Sequence, residues 1–315
     1  MTACSRQTCF APDTGCDLGH LDRSKCPAWK GSEPSGDSAG DTEDLLLPWS
    51  GSALGAADLA FIGGRSKPII IGIVGPQSAG KTTLLAAWYL LLGRGLFSNK
   101  RLRIAGSYTL TGWEAVANTL RWHPGHVPKF PPHTSSRGGR APGLLHLSFR
   151  NEDNRLKDVL FTDAPGEWFQ KWAINRDSAE SEGGRWVAEY ADAFIVIADR
   201  DALSGPNLGP ARGIFDVIAN RLAAERGGRN VALVWTKADL SVTPEVETAV
   251  RQSIKRRIPD AAEYSVSIMS SIDGDGKSLL GVLDWVLGVK HLTPVLPDPE
   301  SGNSDPLFIV GSGGR

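Results

Sequence analysis

From Lys67 onward, short apolar runs alternate with longer stretches in which apolar residues recur at helical spacing. That alternation is how a parallel sheet covered by crossover helices reads in a sequence. The apolar runs predict strands over Pro68–Val74, Leu144–Phe149, Asp158–Thr162, Ala193–Ala198, Val231–Trp235 and Tyr264–Ile268. The amphipathic stretches predict helices over Lys81–Leu92, Trp113–Leu120, Gly184–Tyr190, Gly213–Glu225, Pro244–Arg256 and Ser278–Leu287. The expected fold class is α/β, a mostly parallel sheet flanked by helices, in one domain over residues 66–290. Residues 1–30 carry a Cys/His cluster, and residues 31–65 read as a linker and arm. Within them, Gly31–Asp44 has almost nothing to bury, while Leu45–Gly64 fits either a short helix or an arm lying on the domain. Residues 291–315, rich in Pro, Gly and Ser, read as a flexible tail.

One apolar run ends in a loop that changes this picture from fold to chemistry. Gly75-Pro-Gln77-Ser78-Ala79-Gly80-Lys81-Thr82 fits G-x-x-x-x-G-K-[ST], set between the run Ile69–Val74 and the helix expected from Lys81. Gly75 and Gly80 let the backbone curl so that successive N–H groups, with those of Gln77, Ser78, Ala79 and Thr83 nearby, converge on a phosphate at a helix N-terminus. Lys81 reaches for the β- and γ-phosphates, and the Thr82 hydroxyl is a Mg²⁺ ligand in this reading. A Gly-rich turn matching by accident is the bland alternative, and the strand before and helix after weigh against it.

Two later segments extend the site. The strand over Asp158–Thr162 ends in Asp163-Ala-Pro-Gly166, a D-x-x-G sequence in which Asp163 is placed to hold Mg²⁺ and Gly166 to turn its N–H toward a γ-phosphate. The same four residues also form ordinary β-turns. Glu167 follows, as a water-positioning residue poorer than a Gln, and Trp168, Phe169 and Trp172 recur at helical spacing, as core or as a partner surface. Thr236-Lys237-Ala-Asp239 follows the strand Val231–Trp235 and matches [NT]-K-x-D. A carboxylate there accepts from guanine N1–H and the N2 amino group, donors that adenine lacks, and such pairing discriminates by on the order of 10⁴. Ser270-Ser271, before Gly276, resembles a loop whose backbone contacts guanine O6; a plain loop reads equally well.

Charge and cysteine usage restrict the remaining possibilities. Lys plus Arg number 34 against 35 Asp plus Glu, so nothing in the net charge of −1 favours nucleic acid or an anionic membrane. The apolar runs are too short to span a bilayer and no signal peptide core precedes them, which points to a cytoplasmic protein. All four cysteines cluster at the N-terminal end, where Cys4, Cys9, Cys16, His20 and Cys26 give C-x4-C-x6-C-x3-H-x5-C, five candidate ligands for a structural Zn²⁺ that takes four. An unstructured arm with reactive thiols is the alternative.

Phosphate loop, D-x-x-G and T-K-x-D in this order resemble the translation-factor-related class of P-loop GTPases over roughly Lys67 to Lys290. With Gly106-Ser-Tyr-Thr-Leu, Asp163-Ala-Pro-Gly-Glu and the Cys-rich leader, the chain resembles the bacterial double-GTPase type. That resemblance implies a G domain, GTP/GDP and Mg²⁺ as ligands, hydrolysis that is slow without a partner, and a second GTPase as a protein partner in a bacterial conflict or signalling system. It also implies a threonine that closes over Mg²⁺, for which Thr134 is the first choice and Thr109 or Thr111 the alternatives. A nucleotide-dependent dimer is a further expectation borrowed from related GTPases. The loop Pro124–Gly143 reads as mobile, with Arg137 and Arg140 as an internal arginine finger or, more simply, a solvated basic loop. The competing functions are an ATP-using P-loop enzyme, in which T-K-x-D is accidental, and a guanine-nucleotide module without turnover.

Overall fold

The computed structural model describes residues 53–97, 101–121, 129–131, 142–269 and 276–292, together with residues 18, 25–29 and 124–125. Chain contacts divide the protein into two units, Met1–Leu47 and Pro48–Arg315. In the first, Cys26 is buried and its carbonyl accepts a hydrogen bond from the Trp29 N–H at 3.0 Å.

The second unit is built on a seven-stranded sheet. Its strands are β1 (Ile69–Val74), β2 (Leu102–Gly106), β3 (Gly143–Asn151), β4 (Leu156–Asp163), β5 (Ala193–Asp199), β6 (Asn230–Thr236) and β7 (Ala262–Ser265). They lie in the order β2-β3-β4-β1-β5-β6-β7. Pairings of β1 with β4 and β5, of β5 with β6 and of β6 with β7 are parallel; β2 with β3 and β3 with β4 are antiparallel. The β-branched run Ile-Ile-Ile-Gly-Ile-Val makes β1 a central strand, buried at all six positions because helices cover both faces.

The helices are α1 (Leu59–Gly63), α2 (Lys81–Gly93), α3 (Leu110–Ala117), α4 (Gly166–Ile174), α5 (Glu182–Tyr190), α6 (Arg200–Ser204), α7 (Leu208–Glu225), α8 (Pro244–Lys255) and α9 (Lys277–Gly288). Alternation along β1 sends Ile69, Ile71 and Ile73 into a core with α2, α3 and α9, and Ile70 and Val74 into one with α4, α5, α7 and α8. Helix α2 is apolar nearly all round, and its Trp88 indole donates to the Leu279 carbonyl of α9 at 2.8 Å, fixing the first core around a helix that carries Lys81. Gly72 marks the closest approach on the other face: a methyl there would lie 2.8 Å from Val187 of α5 and 2.9 Å from Phe194.

Several expectations are corrected. The edge strand β2 is absent from the predicted set because Leu102–Gly106 is largely exposed and offers no apolar run. Helix α7 begins five residues earlier than expected, running through Gly209, Pro210 and Gly213; Pro210 falls in its first turn, where its missing N–H costs nothing. Helix α3 begins at Leu110 rather than Trp113, and β7 ends at Ser265 rather than Ile268, so that Ser267 and Ile268 are loop residues. Of the stretch Leu45–Gly64, residues 45–52 lie outside the described residues; in the remainder Leu54 makes an antiparallel bridge to Leu144 and Leu59–Gly63 is a short helix.

A buried polar cluster joins this arm to the antiparallel edge. Asp158 of β4 receives Arg65 Nη2 at 2.5 Å and Nε at 3.2 Å, and contacts His146 Nε2 of β3 at 3.0 Å. Since the Tyr108 N–H donates to His146 Nδ1 at 3.0 Å, the imidazole proton lies on Nε2 and points to Asp158. Burial alone would push the Asp158 carboxyl up; hydrogen bonds from His146, Ser148 and Arg65, with the Arg65 charge, outweigh it and bring the pKa down to about 2.

Candidate functional site

The loop from β1 to α2 wraps its own backbone. Ser78 has φ 62° and Gly80 φ 90°, a left-handed alternation that turns consecutive N–H groups to one side. Gly80 is also the residue before α2, whose N-terminus opens into the same concavity, and a methyl on it would meet Thr236 at 3.6 Å. Lys81 is 7% exposed and donates from Nζ to the carbonyls of Gly75 at 3.1 Å and Pro76 at 2.7 Å. Burial lowers its pKa to about 8, and the Asp163 carboxylate partly offsets that. An amine held in a dry loop by two carbonyls is stabilised in its charged form by an arriving phosphate.

Strand β4 delivers the second element to the same place. The Thr82 hydroxyl donates to Asp163 Oδ1 at 3.0 Å. A hydroxyl and a carboxylate converging beside a phosphate loop are a hard-oxygen donor set suited to Mg²⁺. Three residues on, Gly166 opens α4 and lies against the phosphate loop, backbone on backbone: a methyl on Gly166 would sit 2.2 Å from Gln77 N and 2.6 Å from Gln77 Cα. No other residue type fits there without moving α4 or the loop. Beyond it, Phe169 and Trp172 are buried and Trp168 is half-buried against Gly183 and Gly184 of α5, so this aromatic stripe is core.

Strand β6 supplies the third element. The Thr236 hydroxyl donates to the Ala79 carbonyl at 2.8 Å, tying this strand end to the phosphate loop. Lys237 has φ 54° and points Nζ to Asp199 Oδ2 at 2.9 Å and Asp201 Oδ2 at 3.1 Å. Burial alone would lower its pKa, but the hydrogen bonds and charges of those two carboxylates raise it. Asp239 accepts a short hydrogen bond from the Ser267 hydroxyl, and the Ala238 N–H donates to the Val266 carbonyl at 3.0 Å.

The three elements line one cavity of about 480 Å³, to which Gln77 to Leu84, Ala164 to Gly166, and Lys237, Asp239 and Ser267 to Met269 all contribute. The volume is that of a drug-sized ligand site.

A model of the Double-GTPase 2 family matches residues 69–286, which include the whole sheet, all three motifs and all but the end of α9. The chain belongs to that family. Among solved structures it is similar to Roco2 RocCORdC of Methanosarcina barkeri bound to GDP, at 14% identity and a TM-score of 0.37, covering 71% of this chain and 50% of that one. It is also similar to Era in complex with MgGDPNP and nucleotides 1506–1542 of 16S ribosomal RNA, at 18% identity and a TM-score of 0.35, covering 72% and 59%. The chain therefore spans between half and three-fifths of the length of these structures. No curated protein matches it. Membership of this family supports GTP binding.

For this Double-GTPase 2 chain the predicted residues fall into three groups. Gln77, Ser78, Ala79, Gly80, Lys81, Thr82, Thr83, Gly166, Thr236, Lys237 and Asp239 all line the cavity, while Gly75 lies behind the loop with Ile197 3.1 Å from where its Cβ would be. Asp163, half-buried behind Thr82, and Glu167, which is exposed, do not line it. Thr109 is buried and its hydroxyl accepts from the His146 N–H at 2.9 Å, and Thr111 is exposed on α3; neither lines the cavity. Thr134, Ser270, Ser271, Arg137, Arg140, Cys4, Cys9, Cys16 and His20 lie outside the described residues. Among the described residues, no three or more His, Cys, Asp or Glu side chains are grouped to hold a metal ion, and no helix is long and apolar enough to cross a membrane.

Among the lining residues that escape the sequence reading are Asp201, Ser267, Met269 and Phe130. Asp199-Arg-Asp201, two carboxylates closing an apolar strand, was the signal available for the first. Ser267 stands only three residues before Ser270, and its role follows from β7 ending early. Nothing in the composition around Phe130 distinguishes it.

Proposed function

We propose that the protein binds GTP and GDP with Mg²⁺, hydrolyses GTP, and acts as a nucleotide-dependent switch. The observation that carries this reading is the joint between Gly166 and the phosphate loop at Gln77. A γ-phosphate has to be accommodated where the two backbones meet, so its presence or loss moves the start of α4, and α4 is packed through Trp168 and Trp172 onto α5. Thr82 and Asp163 would hold Mg²⁺, which supplies charge neutralisation on the phosphate oxygens when bound. Lys81 binds the phosphates, Asp239 reads guanine with Ser267 orienting its carboxylate, and Thr236 holds the base-reading strand against the phosphate loop.

The rest of the reading stands on the sequence. Thr134 is proposed as the threonine that closes the site, and Cys4, Cys9, Cys16, His20 and Cys26 as the ligand pool for a structural Zn²⁺, which metal analysis of the purified chain tests. A cytoplasmic setting, a second GTPase as partner and a nucleotide-dependent dimer complete the proposal; light scattering that finds a monomer with both GDP and a GTP analogue removes the dimer.

The position of Glu167 outside the cavity wall favours a second reading, a guanine-nucleotide module that keeps its ligand without turnover. Single-turnover assay of bound GTP separates the two. The switch reading expects conversion to GDP on the order of 10⁻⁴ to 10⁻² s⁻¹, the range of unassisted GTPases. GTP recovered intact after many hours leaves only the second.

A further inference from the structure

Hydrolysis needs a group that orients water against the γ-phosphate, and on the motif reading that duty falls to the residue after Gly166. Here that residue is Glu167, exposed on the first turn of α4 and outside the cavity wall. A carboxylate is also ill suited to the work: it accepts hydrogen bonds but donates none, and it repels the phosphate it faces.

Gln77 has the properties Glu167 lacks. It lines the cavity and is exposed to it, and its backbone N and Cα are atoms that a methyl on Gly166 would strike, at 2.2 and 2.6 Å. It therefore stands at the point where phosphate loop and D-x-x-G segment meet, across the joint from the position expected to supply the water-orienting group. Its backbone is held on both sides: the Pro76 carbonyl before it accepts from Lys81 Nζ at 2.7 Å, and Ser78 after it is fixed in a left-handed turn at φ 62°. That fixes where the side chain is rooted, so that it starts from one place beside the joint. Its carboxamide can accept from a water O–H while donating to a phosphate oxygen, and it does not titrate.

We propose that Gln77 is the water-positioning residue for GTP hydrolysis in this chain, acting from the phosphate loop in place of the residue after Gly166. The inference rests on the GTP-hydrolysing reading above. In the step it serves, the water oxygen bonds to the γ-phosphorus as the bond from that phosphorus to the bridging oxygen breaks. The bridging oxygen keeps the electron pair and becomes a terminal β-phosphate oxygen of GDP. One water proton stays on the released phosphate and the other passes to solvent.

The test uses the full chain with Mg²⁺, as wild type, Gln77→Ala and Gln77→Glu. Affinities for GDP and a non-hydrolysable GTP analogue are measured by calorimetry, and cleavage by single-turnover assay. Gln77→Ala is expected to cleave about a hundredfold more slowly or worse, the lower end for a lost proton-orienting group, with both affinities within about threefold of wild type. Gln77→Glu is expected to be slow at neutral pH and to regain rate relative to wild type as pH falls toward about 4.3, where its carboxyl protonates and can donate. An unchanged rate in Gln77→Ala overturns the inference. So does a loss of affinity that matches the loss of rate, since a merely structural part in the loop would produce it. Wild type that binds GDP and the analogue but cleaves nothing also overturns it while leaving nucleotide binding intact. Failure of wild type to bind guanine nucleotides at all defeats the underlying reading instead.

Discussion

Asp239 and Lys237 divide the base end of the site between them. The Ser267 hydroxyl engages one carboxylate oxygen of Asp239, and Lys237 is drawn toward Asp199 and Asp201, so both side chains are held by neighbours distant in sequence. On the proposed function, guanine recognition rests on a carboxylate that accepts two hydrogen bonds. Asp239→Asn replaces one acceptor oxygen with an amide donor, which opposes guanine's donors and suits the C2 carbonyl of xanthine. Calorimetry with GDP and xanthosine diphosphate is expected to show GDP affinity falling by roughly 10² or more and the preference reversing. GDP affinity unaffected by the change would remove Asp239 from the base site. Much of this was legible in Thr236 to Asp239 alone, because the residue types state the chemistry. Ser267 and Asp201 were not, because their relevance depends on where β7 stops and on a partner thirty-six residues away.

Helix α4 connects the site to the body of the domain through contacts that leave little slack. Its first residue rests on the phosphate loop, and its inner face meets two glycines of α5. At Gly184 a methyl would lie 2.7 Å from Trp172 Cβ and 2.8 Å from the Trp168 carbonyl, atoms that cannot move without moving α4. Gly184→Ala is accordingly expected to lower the stability to chemical denaturation by about 1–3 kcal/mol, the cost of overpacking. Stability equal to wild type would mean that α4 shifts freely and is not wedged. The spacing of Trp168, Phe169 and Trp172 revealed a helical face, while the glycines that receive it are uninformative until the fold brings α5 alongside.

The arm and the antiparallel edge meet in a different kind of joint, the ionised Asp158 among Arg65, His146 and Ser148. Its folded pKa of about 2 lies below the ordinary 3.8, so its contribution to stability is present above pH 4 and lost as pH falls toward 2. The shift corresponds to roughly 2 kcal/mol. Asp158→Asn should flatten the acid limb of the stability curve between those pH values; an acid limb that keeps its slope would place the titrating group elsewhere. Asp158 read in sequence only as the start of an apolar strand, since its partners come from the arm and from β3.

At the scale of the molecule, the parallel half of the sheet was the most legible part, because strands covered on both faces leave unbroken apolar runs. The antiparallel edge was less so. Strand β2 is half-exposed, and the segment between α2 and β3 interposes a strand and a helix whose packing on β3, through Trp113 and the Thr109–His146 contact, has no periodic signature. What the topology accomplishes is to bring the ends of β1, β4 and β6 to one cavity, so that residues more than 150 positions apart, Ala79 and Thr236 among them, share a hydrogen bond. A GTP-dependent switch requires that cavity to take a guanine nucleotide rather than any phosphorylated ligand. Calorimetric titration of the full chain with GDP and with ADP, each with Mg²⁺, tests it most directly. Binding of GDP by about 10³-fold or more over ADP is the predicted result, given a base site whose Asp239 carboxylate pairs with donors that adenine lacks. Equal affinity, or a preference for ADP, would contradict the guanine reading and leave the ATP-using enzyme as the description that fits the same phosphate loop.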